Sequence, residues 1–317
     1  MKSKKIGLGT AAIGRPQYIN VRNQKPESFD LEKFRQSGLQ VLESAYQQGV
    51  RYFDTAPGYG MAEQLISDWL QSKNDPSIEV ATKWGYEYVA NFNPDAKVHE
   101  IKDHSIDQLI KQWEVSKELL PFLSTLQIHS ATFETGVLDD DEVLAKLAEF
   151  KSNYGINIGL STTGENQVDV LKKALDIQIN GKQLFNVFQV TFNILDQSIL
   201  EVLDILKQDN NRIVIKEALA NGRLFPHYAC VDFSDLYQLL ESLALKYNTG
   251  IDAIALQFCH QALKPFMVLS GASHTSDLVE NLKTNNLKLS SYEIESLKSH
   301  AIPTNHYWNQ RKQMNWN

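Results

Sequence analysis

Two cysteines stand in a chain of 317 residues. Cys230 and Cys259 form no CxxC and sit in no Cys/His pattern at metal spacing, which excludes a disulfide framework and a zinc site as organising features. Both read as small buried or half-buried thiols. No run approaches the ~18–20 apolar residues that a spanning helix needs. The first stretch, MKSKKIGLGTAAIG, starts basic, but its apolar part is short and broken by glycine, so it reads as a strand and turn rather than a signal peptide. A basic block is also missing. With 31 basic against 38 acidic residues the net charge is −7. That argues against nucleic acid or an anionic membrane as main partner, and still permits an anionic cofactor held by a few local groups. No GxGxxG follows a strand-like segment, which speaks against a Rossmann domain. No Ser/Gly/Pro-rich tract divides the chain, so residues 1–317 read as one domain. The expected setting is a reducing cytoplasm.

What is present is an alternation of strand-like and helix-like segments. The strand candidates are Ile6–Leu8, Val50–Asp54, Ile78–Lys83, Leu123–His129, Ile156–Leu160, Phe185–Val190, Arg212–Ile215 and Phe266–Leu269. Between them, apolar residues recur at helical spacing, as in Leu31–Tyr46, Met61–Leu70 and the run holding Ile199, Leu203 and Leu206. Gly49 and Gly155 stand where helices end, since glycine tolerates φ > 0. Strands alternating with helices imply a parallel sheet, and eight such units of this length imply a closed (β/α)8 barrel, an α/β fold of the TIM type. Extra length falls in three places: Trp84–Asp103 after the third strand, a second helix (Ile251–Leu263) after the seventh strand, and a tail from about residue 302 to 317. Long aromatic-bearing loops usually bind something. The tail, with Tyr307 and Trp308, is therefore expected to cover the substrate site and to leave the barrel core alone.

In a barrel of this kind the functional face is the carboxyl end of the strands. The second strand ends at Asp54, with Tyr59 just beyond in a turn made by Pro57, Gly58 and Gly60. The third ends at Lys83 and the fourth at His129. An acid, a phenol, an ammonium and an imidazole so placed suit carbonyl reduction. Tyr59 could protonate a developing alkoxide. A free phenol, with pKa about 10, is a poor exchanger near neutrality, and a cation such as Lys83 would lower that value. Asp54 would supply Lys83 with its counter-charge, and His129 could orient the substrate oxygen. The alternative for these residues is a structural Asp–Lys pair with a satisfied core histidine.

GVRYFDTAPGYGMAE, then ATKWG, then LQIHS, resembles the aldo-keto reductase superfamily, and the similarity runs from GLGTAAIG at Gly7 to SGASHTSDLVENL at Ser270. The resemblance implies a (β/α)8 barrel, a nicotinamide cofactor, no metal, and a catalytic tetrad on Asp54, Tyr59, Lys83 and His129. It further implies cofactor contacts at Gly9, Thr10 and Asp54, at Ser161 and Thr162 in GLSTTG, and at Gln189. Lys216, Ala218 and Leu219 match the family's pyrophosphate loop, and Ser270, Gly271, Ala272, Ser273, Asp277, Glu280 and Asn281 its adenosine end. Two positions depart from the family pattern: many members have Asn where Thr162 stands and an aromatic ring where Lys216 stands. NADP(H) is the implied cofactor, with NAD(H) also possible, because Ser270–Asn281 holds no Arg or Lys for a 2′-phosphate. Lys216 and Arg223 are the nearest cations that could supply that charge. Trp84, Tyr86, Tyr307 and Trp308 are expected to line the substrate pocket. The implied activity is hydride transfer between a nicotinamide and an aldehyde, ketone or sugar carbonyl. The other readings are a cofactor-binding regulatory subunit with little turnover and a barrel of unrelated function.

Overall fold

A computed structural model describes residues 5–17, 29–93, 95–226 and 233–314; Cys230 lies outside them. Eight parallel strands close a barrel: β1 (Ile6–Gly9), β2 (Tyr52–Asp54), β3 (Glu79–Trp84), β4 (Leu123–Ala131), β5 (Asn157–Thr162), β6 (Val187–Thr191), β7 (Arg212–Lys216) and β8 (Met267–Ser270). Each pairs with its neighbour in sequence, and β8 closes on β1 through Ile6 opposite Val268. The eight strand candidates all fall on barrel strands, with shifts of one or two residues at their ends.

The barrel interior changes character along its axis. Tyr52, Ala81, Val187, Val214 and Met267 form one buried apolar layer. Strand side chains alternate faces, so the residues two positions on share that interior. They are Asp54, Lys83, Gln189, Lys216 and Leu269. The depth of the barrel is therefore apolar, and the layer above it, which floors the cleft, is polar at four of its five positions. The opposite faces of the strands pack with the helices in one large core that includes Phe53, Trp84, Ile128, Phe188 and Ile215.

The helices follow the apolar spacing. Helix Leu31–Gln47 is capped by the Asp30 carboxylate, which accepts from Lys33 N, and its chain leaves through Gly49 at φ 87°. The run around Ile199 differs from the expected helix: a 3₁₀ segment, Ser198–Val202, passes into a single turn, Leu203–Leu206. Its buried residues Ile199, Val202 and Leu206 are spaced by three and four, which both geometries satisfy. The long connection after β3 forms a two-stranded antiparallel ribbon, Tyr86–Tyr88 with Glu100–Lys102.

The tail corrects an expectation. Helix Thr304–Lys312 carries Tyr307 fully buried, and the Tyr307 hydroxyl accepts from Asn193 Nδ2 at 2.9 Å and meets Glu217 at 3.3 Å. Ile302 N donates to the Leu195 carbonyl at 3.0 Å. Tyr307 is thus a brace seated in the body of the protein, so the tail does not leave the barrel alone.

Candidate active site

Asp54 is 2% exposed and takes donors from three strands. Lys83 Nζ hydrogen-bonds its Oδ1, while Gln189 Nε2 at 2.6 Å and Gln127 Nε2 at 3.3 Å donate to Oδ2. Lys83, itself fully buried, also donates to the Thr55 carbonyl at 3.0 Å. A buried carboxylate and ammonium are tolerable only when paired and hydrogen-bonded in this way. Thr10 fixes the end of β2 from the other side, with its backbone N and hydroxyl on the Asp54 carbonyl at 2.9 and 3.0 Å. Thr10 is buried there and does not line the cavity.

Tyr59 stands over this pair, its ring centroid 4.8 Å from Lys83 Nζ. The turn that carries it needs Gly60, which has φ 64° and lies where a Cβ would come within 2.5 Å of the Gly14 carbonyl. The Tyr59 hydroxyl is 3.4 Å from His129 Nε2. His129 reaches that point because β4 carries one extra residue: Ile128 pairs with Leu160, but Ala131 pairs with Thr162. Ser130 takes φ 53° in this bulge, and its N–H is held by Ser161 Oγ at 2.8 Å.

Burial and the nearby cations, Lys83 first, push His129 well below its ordinary pKa, so the imidazole is neutral. Burial and the Asp54 carboxylate push the Tyr59 phenol up, and Arg15 draws it down. Lys83 had been the expected source of that lowering; its charge is instead compensated by Asp54 within hydrogen-bond distance. Arg15 is a residue that the sequence did not single out. It is 3% exposed, donates to the Gly58 carbonyl at 2.9 Å and to Glu100 at 2.7 Å, and lies 5.4 Å from the Tyr59 ring centroid. A basic residue just past the first βα turn was its one trace in the chain.

These groups open into a cavity of about 1140 Å³ at the carboxyl ends of the strands. Asp54, Tyr59 and His129 line it, with Lys83 behind Asp54. Gly9, Ser161, Gln189, Lys216, Ala218 and Leu219 line it as well, and so do Ser270, Gly271, Ala272, Ser273, Asp277, Glu280 and Asn281 after β8. Thr162 does not: it is buried and hydrogen-bonded to Gln167 at 3.2 Å, while Thr163 and Gly164 face the cavity. Of the four expected pocket residues, Tyr86 and Trp308 line the cavity. Trp84 is a correction, as is Tyr307. Trp84 follows Lys83 in the strand, so it must point to the other face, where it is 1% exposed and packs edge-on against His104.

A second charged cluster borders the cavity at the end of β7. Lys216 Nζ donates to Thr191 Oγ1 at 2.8 Å and lies 6.0 Å from the Trp308 ring centroid. Glu217, in the left-handed region at φ 55°, meets Arg311 from the C-terminal helix at 3.3 Å. Burial pushes the Glu217 carboxyl up, but Lys216, Arg311 and Arg223 outweigh it and hold it at about 2. Among the described residues no group of three His, Cys, Asp or Glu side chains could hold a metal ion.

The model of the Aldo/keto reductase family matches residues 5–302. The chain belongs to that family. As an aldo/keto reductase it is similar to an uncharacterized oxidoreductase, YqkF, of Bacillus subtilis, 22% identical over 84% of this chain and 88% of that one. It is also similar to an NADH-specific methylglyoxal reductase of Escherichia coli, 22% identical over 94% of each chain. Among solved structures, the aldo-keto reductase AKR11C1 from Bacillus halodurans in its holo form superposes with a TM-score of 0.70 at 21% identity, covering 96% of this chain and 95% of that one. The family supports nicotinamide-dependent oxidoreduction in general, and the barrel is the fold these reductases share.

Proposed function

We propose that this aldo/keto reductase interconverts an aldehyde, ketone or sugar carbonyl with its alcohol, with Tyr59 as the proton carrier. The observation that carries the reading is the Tyr59 hydroxyl, 3.4 Å from a neutral His129 and directly above the buried Asp54–Lys83 pair, on the wall of the cleft of about 1140 Å³. The cleft suits a dinucleotide. Asn281 is 3% exposed, lines it, and leaves its side-chain carbonyl without a protein donor. Gly271 lines it where a Cβ would meet no protein atom within 4 Å. Ser161, Gln189 and Lys216 would hold the nicotinamide half, and the segment Ser270–Asn281 the adenosine half. The cofactor, when bound, supplies the hydride to the carbonyl carbon.

The protein's part is protonic. In reduction, the Tyr59 hydroxyl gives its proton to the carbonyl oxygen as negative charge develops there. His129, neutral, orients that oxygen by a hydrogen bond. Burial keeps the phenol protonated in the free enzyme, so it is ready as a donor, and Arg15 moderates the upward shift. Tyr86 and Trp308 supply apolar surface for the substrate.

Exchange of Tyr59→Phe tests this directly. General acid catalysis is worth roughly 10²–10⁴-fold, so turnover of a simple aldehyde should fall by about that factor while nucleotide binding, read by nicotinamide fluorescence, is retained. Near-normal turnover would remove Tyr59 from the role.

A further inference from the structure

We propose that the cleft selects NAD(H) over NADP(H), with Asp277 as the deciding residue and Asp252 reinforcing it. The inference rests on the reading of the cleft as a nicotinamide-dinucleotide site. The two nucleotides differ by one group, the 2′-phosphate on the adenosine ribose, which carries close to two negative charges near neutral pH.

The segment after β8 presents Asp277 and Glu280 to the cleft. A third carboxylate, invisible in the linear sequence, joins them. Asp252, at the start of helix Ile251–Leu263, also lines the cleft, and its carboxyl is pushed up by burial, with Glu280 and Asp277 adding to the shift. The three charges are thus within electrostatic reach of one another. The amino end of helix Thr275–Leu282 offers a partial positive charge, but Asp277 already occupies its first turn.

Three lining cations, Arg15, Lys216 and Arg311, are engaged elsewhere. Arg15 is paired with Glu100 beside Tyr59. Lys216 is bonded to Thr191 and close to Glu217. Arg311 meets Glu217. Arg223, a candidate on sequence grounds, does not line the cleft: it donates to the Tyr307 carbonyl at 3.2 Å and sits 4.0 Å from the Tyr307 ring centroid. Lys283 is paired with Glu280 at 2.7 Å. His274 lies 3.3 Å from Asp277 and so faces that carboxylate. A 2′-phosphate at this end of the cleft would meet the Asp277 and Asp252 carboxylates, and Ser270–Asn281 brings no Arg or Lys to balance it.

Asn281 marks this end of the cleft as suited to the adenosine half that both nucleotides share. Its amide nitrogen donates to Ser270 Oγ at 2.8 Å, and its buried carbonyl oxygen has no donor. That oxygen asks for a ligand group that donates, such as an adenine amine or a ribose hydroxyl. A ribose 2′-hydroxyl can likewise donate to a carboxylate, a charge-assisted hydrogen bond that the phosphorylated form cannot make. The NADP(H) suggested by the family resemblance therefore does not fit the residues present.

The test is binding, independent of turnover. The full chain is titrated with NADH and with NADPH by nicotinamide fluorescence at low and moderate salt. NADH should bind at least ~10-fold tighter, and the gap should shrink as salt screens the repulsion. Asp277→Asn and Asp252→Asn should each narrow the gap, and Asp277→Arg should reverse it, with circular dichroism confirming the fold of each variant. NADPH binding as tightly as NADH, or an Asp277→Arg variant with an unmoved ratio, overturns the proposal and leaves the oxidoreductase reading intact. Failure of both nucleotides to bind overturns both.

Discussion

Two buried ion clusters flank the cleft, and they are built differently. Asp54 and Lys83 come from adjacent strands, sit on regular backbone, and are closed off by two glutamine amides and a carbonyl. Glu217, Lys216 and Arg311 join a strand end to a helix about ninety residues further along, and Glu217 holds a strained left-handed conformation to do so. The first cluster is part of the barrel interior. The second fastens the barrel to the tail that forms one wall of the cleft. The contrast shows how one fold can make a rigid floor from strand ends and an adjustable rim from later segments.

Breaking the floor should cost most. Lys83→Met strands the Asp54 carboxylate among two amides, and removing one partner of a buried pair typically costs about 3–5 kcal/mol. Chemical denaturation should show that loss. Asp54 is also among the groups that push the Tyr59 phenol up, so the apparent pKa of the reaction's acid group should rise. An unchanged stability would mean that the floor is not an electrostatic unit.

The tail comes next. Tyr307→Ala empties a fully buried site and abandons Asn193 and Glu217, at a cost of roughly 3–4 kcal/mol. A melting temperature within a degree of the parent would restore the expectation that the tail leaves the barrel core alone.

A third test concerns the carboxylate behind the floor. Glu63 is buried, accepts from the Thr82 hydroxyl and from Ser116 Oγ at 2.9 Å, and is raised by burial from 4.5 to about 7. A folded pKa above the unfolded one gives stability that is complete below about pH 4.5 and lost as pH rises through 7. The loss is on the order of 3 kcal/mol. Unfolding free energy measured at pH 5 and pH 8 should show this slope in the parent, and Glu63→Gln should flatten it. Equal slopes in both would locate the pH dependence elsewhere.

The rim should respond least. Glu217→Gln leaves Lys216 and Arg311 partly exposed to solvent, with side-chain exposures of 19% and 15%. The expected loss is about 1–2 kcal/mol, with a change in substrate KM larger than the change in kcat. A loss as large as that of Lys83→Met would make the two clusters equivalent.

The same division governs what could be read in advance. Asp54, Lys83 and His129 were legible because each closes a short apolar run, and a charged residue at a strand end has few structural uses. Trp84 was misplaced through neglect of the two-residue period, since Lys83 and Trp84 cannot face the same way. The bulge in β4 left no trace, because one additional residue changes neither composition nor pattern. Tyr307 looked like a lid because its sequence neighbours are polar; the groups that bury it lie ninety or more positions away. The carboxylate of Asp252 escaped notice for a related reason, as a first-turn residue in a helix whose proximity to Asp277 only the closed barrel creates.

The position of the brace has a consequence for assembly. Trp308, Arg311, Lys312 and Met314 border the cleft, and all of them follow the eighth strand. During synthesis the ribosome delivers them after every strand of the barrel. A nascent chain could therefore close its sheet and still lack a finished mouth. Binding competence would arrive as a late event, separate in time from folding of the barrel, and a chain interrupted just past Ser270 would resemble a cup without its rim.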